Sequence, residues 1–531
     1  MTRRRNLPAQ RAGALTAAAP PQAAARAVAW SQLMASALSG GLIGAGFLNF
    51  DLFPLAWAAF APLLWALGRA RDRREALGSA AAAGVVTNIL GFYWLVYTIH
   101  IFGGFPYPVA LFVFGCLTAY SSLQFVLFAL ALRITGWGPL GLAPALLWTA
   151  LEFLYPNLFP WRMANTQYHL VPLLQIGDIT GPFALSLVIV WASAALVRLV
   201  TQSGWQRMAP LAAVAVSAAA LYAYGLARIP AIEAAMRAAP GVPVALIQGN
   251  IGVKEKGNLS YFDVNLEQYR QLTASVQDRV ALAAWPETVV QEWVPADTAV
   301  LAEADQPVPG LRTALIYGGL SFRQTGPHQA EEFNSAFLLG PWGQVLGRYD
   351  KQILMPFGEY LPGASLLPWI KQLSPHSGGF TAGRESRLFT VPGLGRVGPL
   401  ICFEDLPASI PRAMTRAGAE LLLAMANDAW YGNSAAPYEH QALALWRAIE
   451  TRRYLLRVNN SGVTGVIDPL GRVVETLPIF TAGTLVATVH PLQLVSVYTR
   501  IGNVFGWLVV GVTAALLGWR HLYGHSLRAV S

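Results

Sequence analysis

The stretch RVGPLICFED, residues 396–405, has the pattern of a β-strand that ends in a sharp turn. The strand is expected over about 396–401, the turn holds Cys402, and a helix is expected over about 407–419. The chain has only two cysteines, and this one would lie at a sheet edge near a helix N-terminus. Such a position favours the thiolate form, so the sequence predicts a nucleophile at Cys402.

Two segments upstream of this strand are built in the same way. Glu287 follows the apolar stretch ALAAWP, and Lys351 ends the stretch GRYDK. A carboxylate can act as the base for a thiol, and an ammonium can stabilise the charge that develops when the thiolate attacks a carbonyl. Lysine is an uncommon choice in this chain, which has four lysines and 33 arginines. We therefore predict a catalytic trio of Glu287, Lys351 and Cys402.

Composition indicates an integral membrane protein that carries one large water-soluble domain. Hydrophobic residues make up 54% of the chain and charged residues 12%, about half the charged share that is usual in soluble proteins. Residues 1–230 hold five acidic residues and no lysine, and their apolar runs of about 16 to 26 residues can cross a hydrocarbon core of roughly 30 Å. From residue 231 onward charge returns and strand-like alternation begins.

We predict about eight membrane helices and four segments. The spans are expected at about 27–48, 52–68, 76–99, 107–132, 140–159, 180–200, 208–228 and 501–519. The segments are a disordered cytoplasmic tail (1–26), a membrane domain with seven spans (27–230), a catalytic domain (231–495), and a final span with a cytoplasmic tail (496–531).

Arginine is distributed unevenly among the predicted loops. Four arginines lie in the loop at 69–74 and others lie near both termini, whereas the alternate loops hold Asp51, an uncharged stretch at 100–108 and Arg162. An excess of positive charge marks the cytoplasmic side, which places the catalytic domain on the periplasmic side. The net charge of +9 forms no basic stripe with interleaved aromatic residues, so we expect no nucleic-acid partner.

Short strands, polar turns and helices alternate between about Val242 and His490. Helices are expected at about 262–277, 408–419 and 439–453. Mixed strands and helices in this order predict an α/β domain in which two stacked sheets are covered by helices, an α-β-β-α sandwich.

This domain resembles the nitrilase, or carbon–nitrogen hydrolase, superfamily, whose fold is an α-β-β-α sandwich. Its Glu-Lys-Cys triad matches Glu287 in WPET, Lys351 in YDKQILMPFGEY and Cys402 in ICFED. With seven spans before the domain and one after it, the chain is similar to the apolipoprotein N-acyltransferase family. Further matching segments are FPW with NTQ (159–167), PFGEYLP (356–362), NDAWYGNSAAPYEHQ (427–441) and RAIETRRYLLRVNNSG (447–462).

The resemblance implies transfer of a fatty acyl chain from a phospholipid, such as phosphatidylethanolamine, to Cys402 as a thioester. The acyl chain would then pass to the N-terminal amine of the S-diacylglyceryl cysteine of an apolipoprotein. The enzyme would work in a bacterial inner membrane, with the lipid bilayer as partner and without a cofactor. Two alternatives stay open: a membrane-bound amidase or N-acyltransferase that acts on another amine, and a non-catalytic lipid-binding or transport protein.

Three residues near the trio are expected to support it. Glu359 in PFGEY matches a family carboxylate that orients the lysine, and turn capping is the alternative role. Glu404 would hydrogen-bond beside the nucleophile or simply begin the following helix. Phe403 stands where the family commonly has tyrosine, which keeps the ring and loses the hydroxyl.

Apolar residues in two loops are candidates for the acyl site. Leu366 and Trp369 would belong to a lid that dips into the lipid interface, with core packing as the alternative. Trp430 and Tyr431 would form another wall of the acyl pocket. His440 has no partner at metal-ligand spacing, so no metal site is expected.

Overall fold

The computed structural model describes residues 22–138, 141–256, 258–356, 358–360 and 379–523. Of the predicted tail, residues 1–21 lie outside the described residues, and residues 22–26 already belong to the first helix. The helices before the soluble domain are α1 (Gln22–Leu48), α2 (Ala61–Arg69), α3 (Arg73–Phe92), α4 (Leu95–Gly103), α5 (Tyr107–Thr135), α6 (Ala143–Leu154), α7 (Val171–Leu174), α8 (Gly177–Thr180), α9 (Phe183–Thr201) and α10 (Met208–Ala238). Short 3-10 helices add Phe50–Trp57, Met163–Gln167 and Trp205–Arg207.

Seven helical segments of the described chain are long and apolar enough to cross a membrane. They are Ala29–Leu48, Phe50–Arg69, Arg73–Phe92, Tyr107–Thr135, Phe183–Thr201, Trp205–Ala238 and Val504–Leu522. A multi-helix membrane domain is thereby confirmed, with seven such segments where eight were predicted.

The missing span is the one predicted at about 140–159. Helix α6 has 12 residues there, which at about 1.5 Å per residue cover roughly 18 Å, less than a hydrocarbon core. The helix ends at Leu154 because Pro156 disfavours helical geometry at Tyr155, where ψ is 123°. At the other predicted boundary, α10 continues past residue 230 to Ala238.

The soluble domain contains 13 strands in its described part. They are β1 (Val242–Gln248), β2 (Leu282–Ala284), β3 (Trp293–Pro295), β4 (Ala314–Gly326), β5 (Gln329–Leu339), β6 (Val345–Asp350), β7 (Phe389–Val391), β8 (Gly395–Ile401), β9 (Leu421–Ala426), β10 (Tyr454–Asn459), β11 (Gly465–Ile467), β12 (Val473–Thr476) and β13 (Gly483–Val489). The remaining helices are α11 (Val253–Lys256), α12 (Phe262–Ala274), α13 (Ser409–Arg416), α14 (Ala436–Thr451), α15 (Val497–Ile501) and α16 (Val504–Tyr523).

These strands form two sheets that stack face to face. The first has the order β13-β1-β2-β4-β5-β6 with β3 beside β4, and the second has the order β12-β11-β10-β9-β8-β7. Alternate residues of β1 show the layering: Val244 and Leu246 belong to the core between the sheets, and Ala245 and Ile247 belong to the core under α12. Helices α13 and α14 pack on the second sheet. The predicted α-β-β-α sandwich is confirmed.

A buried ion cluster joins the membrane domain to the soluble domain. Asp178 in α8 lies 2.7 Å from Arg452, at the end of α14, and 3.0 Å from Arg228 in α10. Nearby, a side chain at Gly177 would meet the ring of Trp446 at 2.9 Å, so the two domains approach closely enough to need glycine there. These contacts hold α14 against the membrane helices and thereby set where the catalytic domain sits.

Candidate active site

Cys402 stands directly after β8, as the sequence predicts. Its φ is 52°, a left-handed conformation that a residue with a Cβ rarely adopts. The residue begins the short 3-10 helix Cys402–Asp405 and is half-buried. Strained backbone of this kind is concentrated at functional sites, where the surrounding structure maintains it.

The expectation that this position favours a thiolate is wrong. Burial raises the pKa of the Cys402 thiol well above its ordinary value, Glu287 raises it further, and Lys351 acts in the opposite direction. The cysteine also begins a single four-residue 3-10 turn, and a turn this short offers little of the helix dipole that the prediction relied on. The resting thiol therefore keeps its proton at neutral pH and needs a base to become a nucleophile.

Glu287, Lys351 and Glu359 meet in one buried network. Lys351 Nζ lies 3.1 Å from Glu287 Oε1 and 2.9 Å from Glu359 Oε2, and the lysine is 1% exposed. Asn334 donates from Nδ2 to Glu287 Oε1 at 2.9 Å and to Glu359 Oε1 at 2.8 Å. Glu359 thus touches the lysine as predicted, and Asn334 joins the two carboxylates.

The charges of this network set its protonation. Burial acts to raise the pKa of Glu287, but Lys351 and Lys256 outweigh it and hold that pKa below its usual value. Burial likewise acts to lower the pKa of Lys351, yet Glu287 and Glu359 hold it well above its usual value. The site therefore rests as an ionised carboxylate beside a permanent ammonium and a neutral thiol, which is the state a base-activated nucleophile requires.

Glu404 fixes the turn that carries the nucleophile. Its carboxylate accepts hydrogen bonds from the main-chain N–H groups of Ile401 at 2.8 Å and Gln352 at 2.6 Å, and from the Tyr349 hydroxyl at 2.8 Å. The first donor precedes Cys402 and the other two flank Lys351. Glu404 therefore ties the end of β8 to the end of β6 by hydrogen bonds, and it also belongs to the short 3-10 helix that follows β8.

Replacing Glu404 by glutamine should lower both stability and activity. The amide would turn an N–H toward main-chain donors and leave at least one buried N–H unpaired, at a cost of about 1–3 kcal/mol. We expect a lower Tm in detergent and at least about tenfold slower turnover, since each 1.4 kcal/mol of lost transition-state stabilisation costs a factor of ten. Glu385→Gln, which removes an exposed surface ion pair, is the control and should leave both values unchanged. An unchanged Tm for Glu404→Gln would contradict this role.

His440, for which the sequence showed no partner, has two. Its Nδ1 lies 2.9 Å from Asp428 Oδ1 and its Nε2 lies 2.9 Å from Asp405 Oδ1, and all three side chains are buried. Burial acts to lower the pKa of His440, but Asp405 and Asp428 raise it to about 9. The histidine is therefore a charged bridge between the turn after β8 and the turn after β9.

The charge on His440 makes stability depend on pH. Because its pKa rises from 6.5 to about 9 on folding, the stabilisation is complete below pH 6.5 and is lost as pH rises through about 9. It is on the order of 3 kcal/mol. His440→Gln should lower the Tm strongly at pH 6 to 7 and little above pH 9.5, with exposed His328→Gln as the control. A Tm difference independent of pH would contradict the charged state.

Aromatic side chains line the junction between the active site and the membrane helices. The Tyr431 ring lies 4.9 Å from the ring of Trp94, and the rings of Phe403 and Phe159 are 6.3 Å apart. Burial raises the pKa of Tyr431 well above its ordinary value, and the negative charge of Asp428 raises it further. Trp430 packs its ring 4.7 Å from Phe102. The two remaining candidates, Leu366 and Trp369, lie outside the described residues.

A cleft in the membrane domain opens next to this aromatic junction. It lies between helices α1, α3, α5 and α6. Phe159 and Trp161 line both this cleft and a smaller cavity that also touches Tyr431 and His440. The walls of the larger cleft are mainly apolar, and they include Ile43, Phe47, Phe92, Leu95, Leu117 and Phe125. The cleft therefore leads from the membrane helices toward the residues that surround Cys402.

Sequence reasoning missed two residues of the site, Lys256 and Asn334. Lys256 Nζ donates to the main-chain oxygen of Glu287 at 2.7 Å. The scarcity of lysine, which drew attention to Lys351, applies equally to Lys256 and was not used. Asn334 is buried on a strand, and a buried amide within the apolar stretch FNSAFLL was the signal for it.

Comparison with known proteins identifies the two parts of the chain. The carbon–nitrogen hydrolase family profile matches residues 243–498, and the profile of the apolipoprotein N-acyltransferase N-terminal domain matches residues 39–195. Fold and site together define a nitrilase-type domain attached to a multi-helix membrane domain.

Full-length relatives give the particular family. The apolipoprotein N-acyltransferase of Geobacter metallireducens is 35% identical over 90% of this chain and 93% of its own length, and that of Azotobacter vinelandii is 31% identical over 94% and 96%. Among solved structures, yeast Nit3 aligns with 50% of this chain and 95% of its own, at 14% identity and a TM-score of 0.35. The chain belongs to the apolipoprotein N-acyltransferase family and is a multi-pass membrane protein.

Proposed function

We propose that this protein transfers a fatty acyl chain from a phospholipid to the N-terminal amine of the diacylglyceryl cysteine of apolipoproteins, through a thioester on Cys402. The observation that carries the proposal is the buried pair of Glu287 and Lys351, whose charges act on the Cys402 thiol, together with a cleft in the membrane domain that shares Phe159 and Trp161 with a cavity touching Tyr431. Such a network suits acyl transfer, and the cleft suits a substrate that comes from a bilayer. The names of the relatives point to the same reaction.

The first half-reaction loads the cysteine. Glu287 takes the proton of the Cys402 thiol, and the thiolate attacks the ester carbonyl of the phospholipid. Lys351 lies beside the carboxylate and stabilises the oxyanion, an interaction typically worth about 3 kcal/mol. The intermediate then expels the lysophospholipid alkoxide, which takes the proton from Glu287. The C–S bond replaces the C–O bond and no net charge changes.

The second half-reaction unloads the cysteine. The neutral amine of the acceptor attacks the thioester carbonyl, and Glu287 takes a proton from the attacking nitrogen. The C–S bond breaks, and Glu287 returns this proton to Cys402 Sγ. An amide and a free thiol result, so the reaction has two products released in turn, a ping-pong sequence.

The cleft and the arginine distribution also suggest how the donor reaches the site and on which side of the membrane the catalytic domain lies. The acyl chain of the donor would enter along the apolar cleft between the membrane helices and pass Phe159 and Tyr431 to reach the nucleophile. The arginine distribution supports a catalytic domain on the periplasmic side of the inner membrane, where the ester of an outer-leaflet phospholipid could reach the site. Trp430 and Phe403 complete the aromatic boundary on the side of the catalytic domain.

Mass spectrometry of the loaded protein tests this function. Purified protein is incubated with phosphatidylethanolamine, digested, and examined for a fatty-acyl adduct on the peptide that holds Cys402. The adduct should form and should be discharged by a diacylglyceryl lipopeptide but not by water or by a plain alkylamine. An adduct that any amine or water discharges would favour a broader membrane-bound amidase or N-acyltransferase. Absence of an adduct with every phospholipid tested would contradict the proposed donor and favour a lipid-binding role.

A further inference from the structure

Lys256 is a second lysine in the candidate active site, and its contacts use its N–H groups only as donors. It ends the short helix α11, and its Nζ donates to the main-chain oxygen of Glu287 at 2.7 Å. The amide oxygen of Asn427, in the orientation that suits its neighbours, accepts from the same Nζ at 3.2 Å. Gln291 donates from Nε2 to the main-chain oxygen of Lys256 and so holds the end of α11 in place. Lys256 is half-buried, which keeps the side chain in contact with solvent.

The second half-reaction has an unassigned proton. An α-amine has a pKa of about 7.7 to 8.0 and is mostly an ammonium at neutral pH, without a lone pair for attack. One proton must leave the nitrogen before attack, and a second leaves as the C–N bond forms. Glu287 accepts the second proton and returns it to Cys402 Sγ. The first proton therefore needs another base close to the site.

We propose that Lys256, in its uncharged form, removes the first proton from the acceptor ammonium and releases it to solvent. An uncharged amine has two N–H donors and one lone pair. The carbonyl oxygens of Glu287 and Asn427 take the two donors, which leaves the lone pair free to accept. The step converts one ammonium and one amine into one amine and one ammonium, so charge and protons balance. This inference rests on the proposed function.

Electrostatics are consistent with this role for Lys256 and exclude it for Lys351. Burial lowers the pKa of Lys256 to about 8, and Glu287 and Cys402, the titratable groups that act on it within the described chain, oppose that shift. Cys402 Sγ carries no charge either as the resting thiol or as the thioester, so Glu287 is the charge that opposes the shift during discharge. A base accepts a proton efficiently when the pKa of its protonated form is close to the pKa of the group that gives up the proton. Lys351 is ion-paired with Glu287 and Glu359 and stays protonated.

The test separates loading from unloading. Wild type, Lys256→Met and Lys256→Gln are loaded at Cys402 with 4-nitrophenyl palmitate, an activated ester that needs no phospholipid. The loaded proteins are then discharged between pH 6 and 9.5 by a diacylglyceryl lipopeptide or by hydroxylamine, a nucleophile that is uncharged at neutral pH. Lys254→Met changes an exposed lysine on the same short helix and is the matched control.

We expect loading and hydroxylamine discharge to slow by the same small factor, about threefold, in both Lys256 variants, because the variants lose a charge that helps hold the pKa of Glu287 low. Discharge by the lipopeptide at pH 7 should fall by up to about tenfold, because roughly one-tenth of an α-amine with a pKa near 8 is already uncharged at that pH. The deficit should close above pH 9, where solution alone deprotonates the amine. Lys256→Gln retains a donor for the Glu287 carbonyl, so a loss in both variants assigns the effect to the base and not to the hydrogen bond.

Two results would overturn the inference. Equal losses in loading, hydroxylamine discharge and lipopeptide discharge would make Lys256 structural. If the Lys256 variants are discharged by the lipopeptide at the wild-type rate at pH 7, the first proton leaves the amine without Lys256. If wild type loads from the activated ester but not from phospholipid, the proposed donor is wrong and the Lys256 comparison still stands. If wild type does not react with the lipopeptide, the same comparison is made with glycine methyl ester as the amine.

Discussion

Cys402→Ala is expected to abolish acyl transfer, by at least about 10⁴-fold, because removing the nucleophile of a catalytic unit costs about as much as removing the whole unit. No thioester can form, so neither half-reaction proceeds. The protein should remain folded, since the half-buried thiol makes no hydrogen bond or ion pair that holds the turn among the described residues, whereas Glu404 does. Turnover is measured with fluorescent phospholipid and lipopeptide, and folding by Tm in detergent.

Cys116→Ala is the control for this variant. Cys116 is the other cysteine of the chain and is exposed on α5, far along the sequence from the catalytic domain. Its removal should leave turnover and Tm at wild-type values. Wild-type turnover by Cys402→Ala would refute the thioester mechanism, and a large loss of Tm would show that the thiol has a structural role as well.

Glu287→Gln is expected to lower turnover by about 10³, within the 10² to 10⁴ that a general base contributes. The amide cannot take the proton of a thiol whose pKa is raised well above its ordinary value, by burial first. Because both half-reactions use the same carboxylate, loading by phospholipid and discharge by amine should slow together. Single-turnover mass spectrometry of the Cys402 peptide measures the two steps separately. Slowing of one step alone would contradict a shared base.

Glu287→Gln should also lower stability. It leaves the buried ammonium of Lys351 with Glu359 as its only ion-pair partner among the residues that the structure describes, and breaking a buried pair costs about 3–5 kcal/mol. The folded pKa of Glu287 lies below its usual value of 4.5, so the stabilisation is present above that pH and lost as pH falls through the lowered folded pKa. The Tm difference should therefore shrink in acid. Exposed Glu292→Gln is the control and should change neither turnover nor Tm.

The elements predicted best are those with strong local patterns. The strand before Cys402 was expected at about 396–401 and is Gly395–Ile401, and the apolar runs became membrane helices with ends shifted by a few residues. The wrong predictions are those in which a second influence outweighed the pattern on which the prediction was based. Pro156 ends α6 early, and burial beside Glu287 reverses the expected pKa shift of the thiol.

By itself the sequence determined the fold class and singled out the three residues of the candidate trio, because hydropathy and turn chemistry are properties of neighbouring residues along the chain. Only the tertiary structure decided what each group can do. Lys256, Asn334 and the partners of His440 come from segments far apart in sequence, and no local pattern reports their distances. Protonation is likewise decided by burial and by charges across the two sheets, because electrostatic energy depends on separation in space.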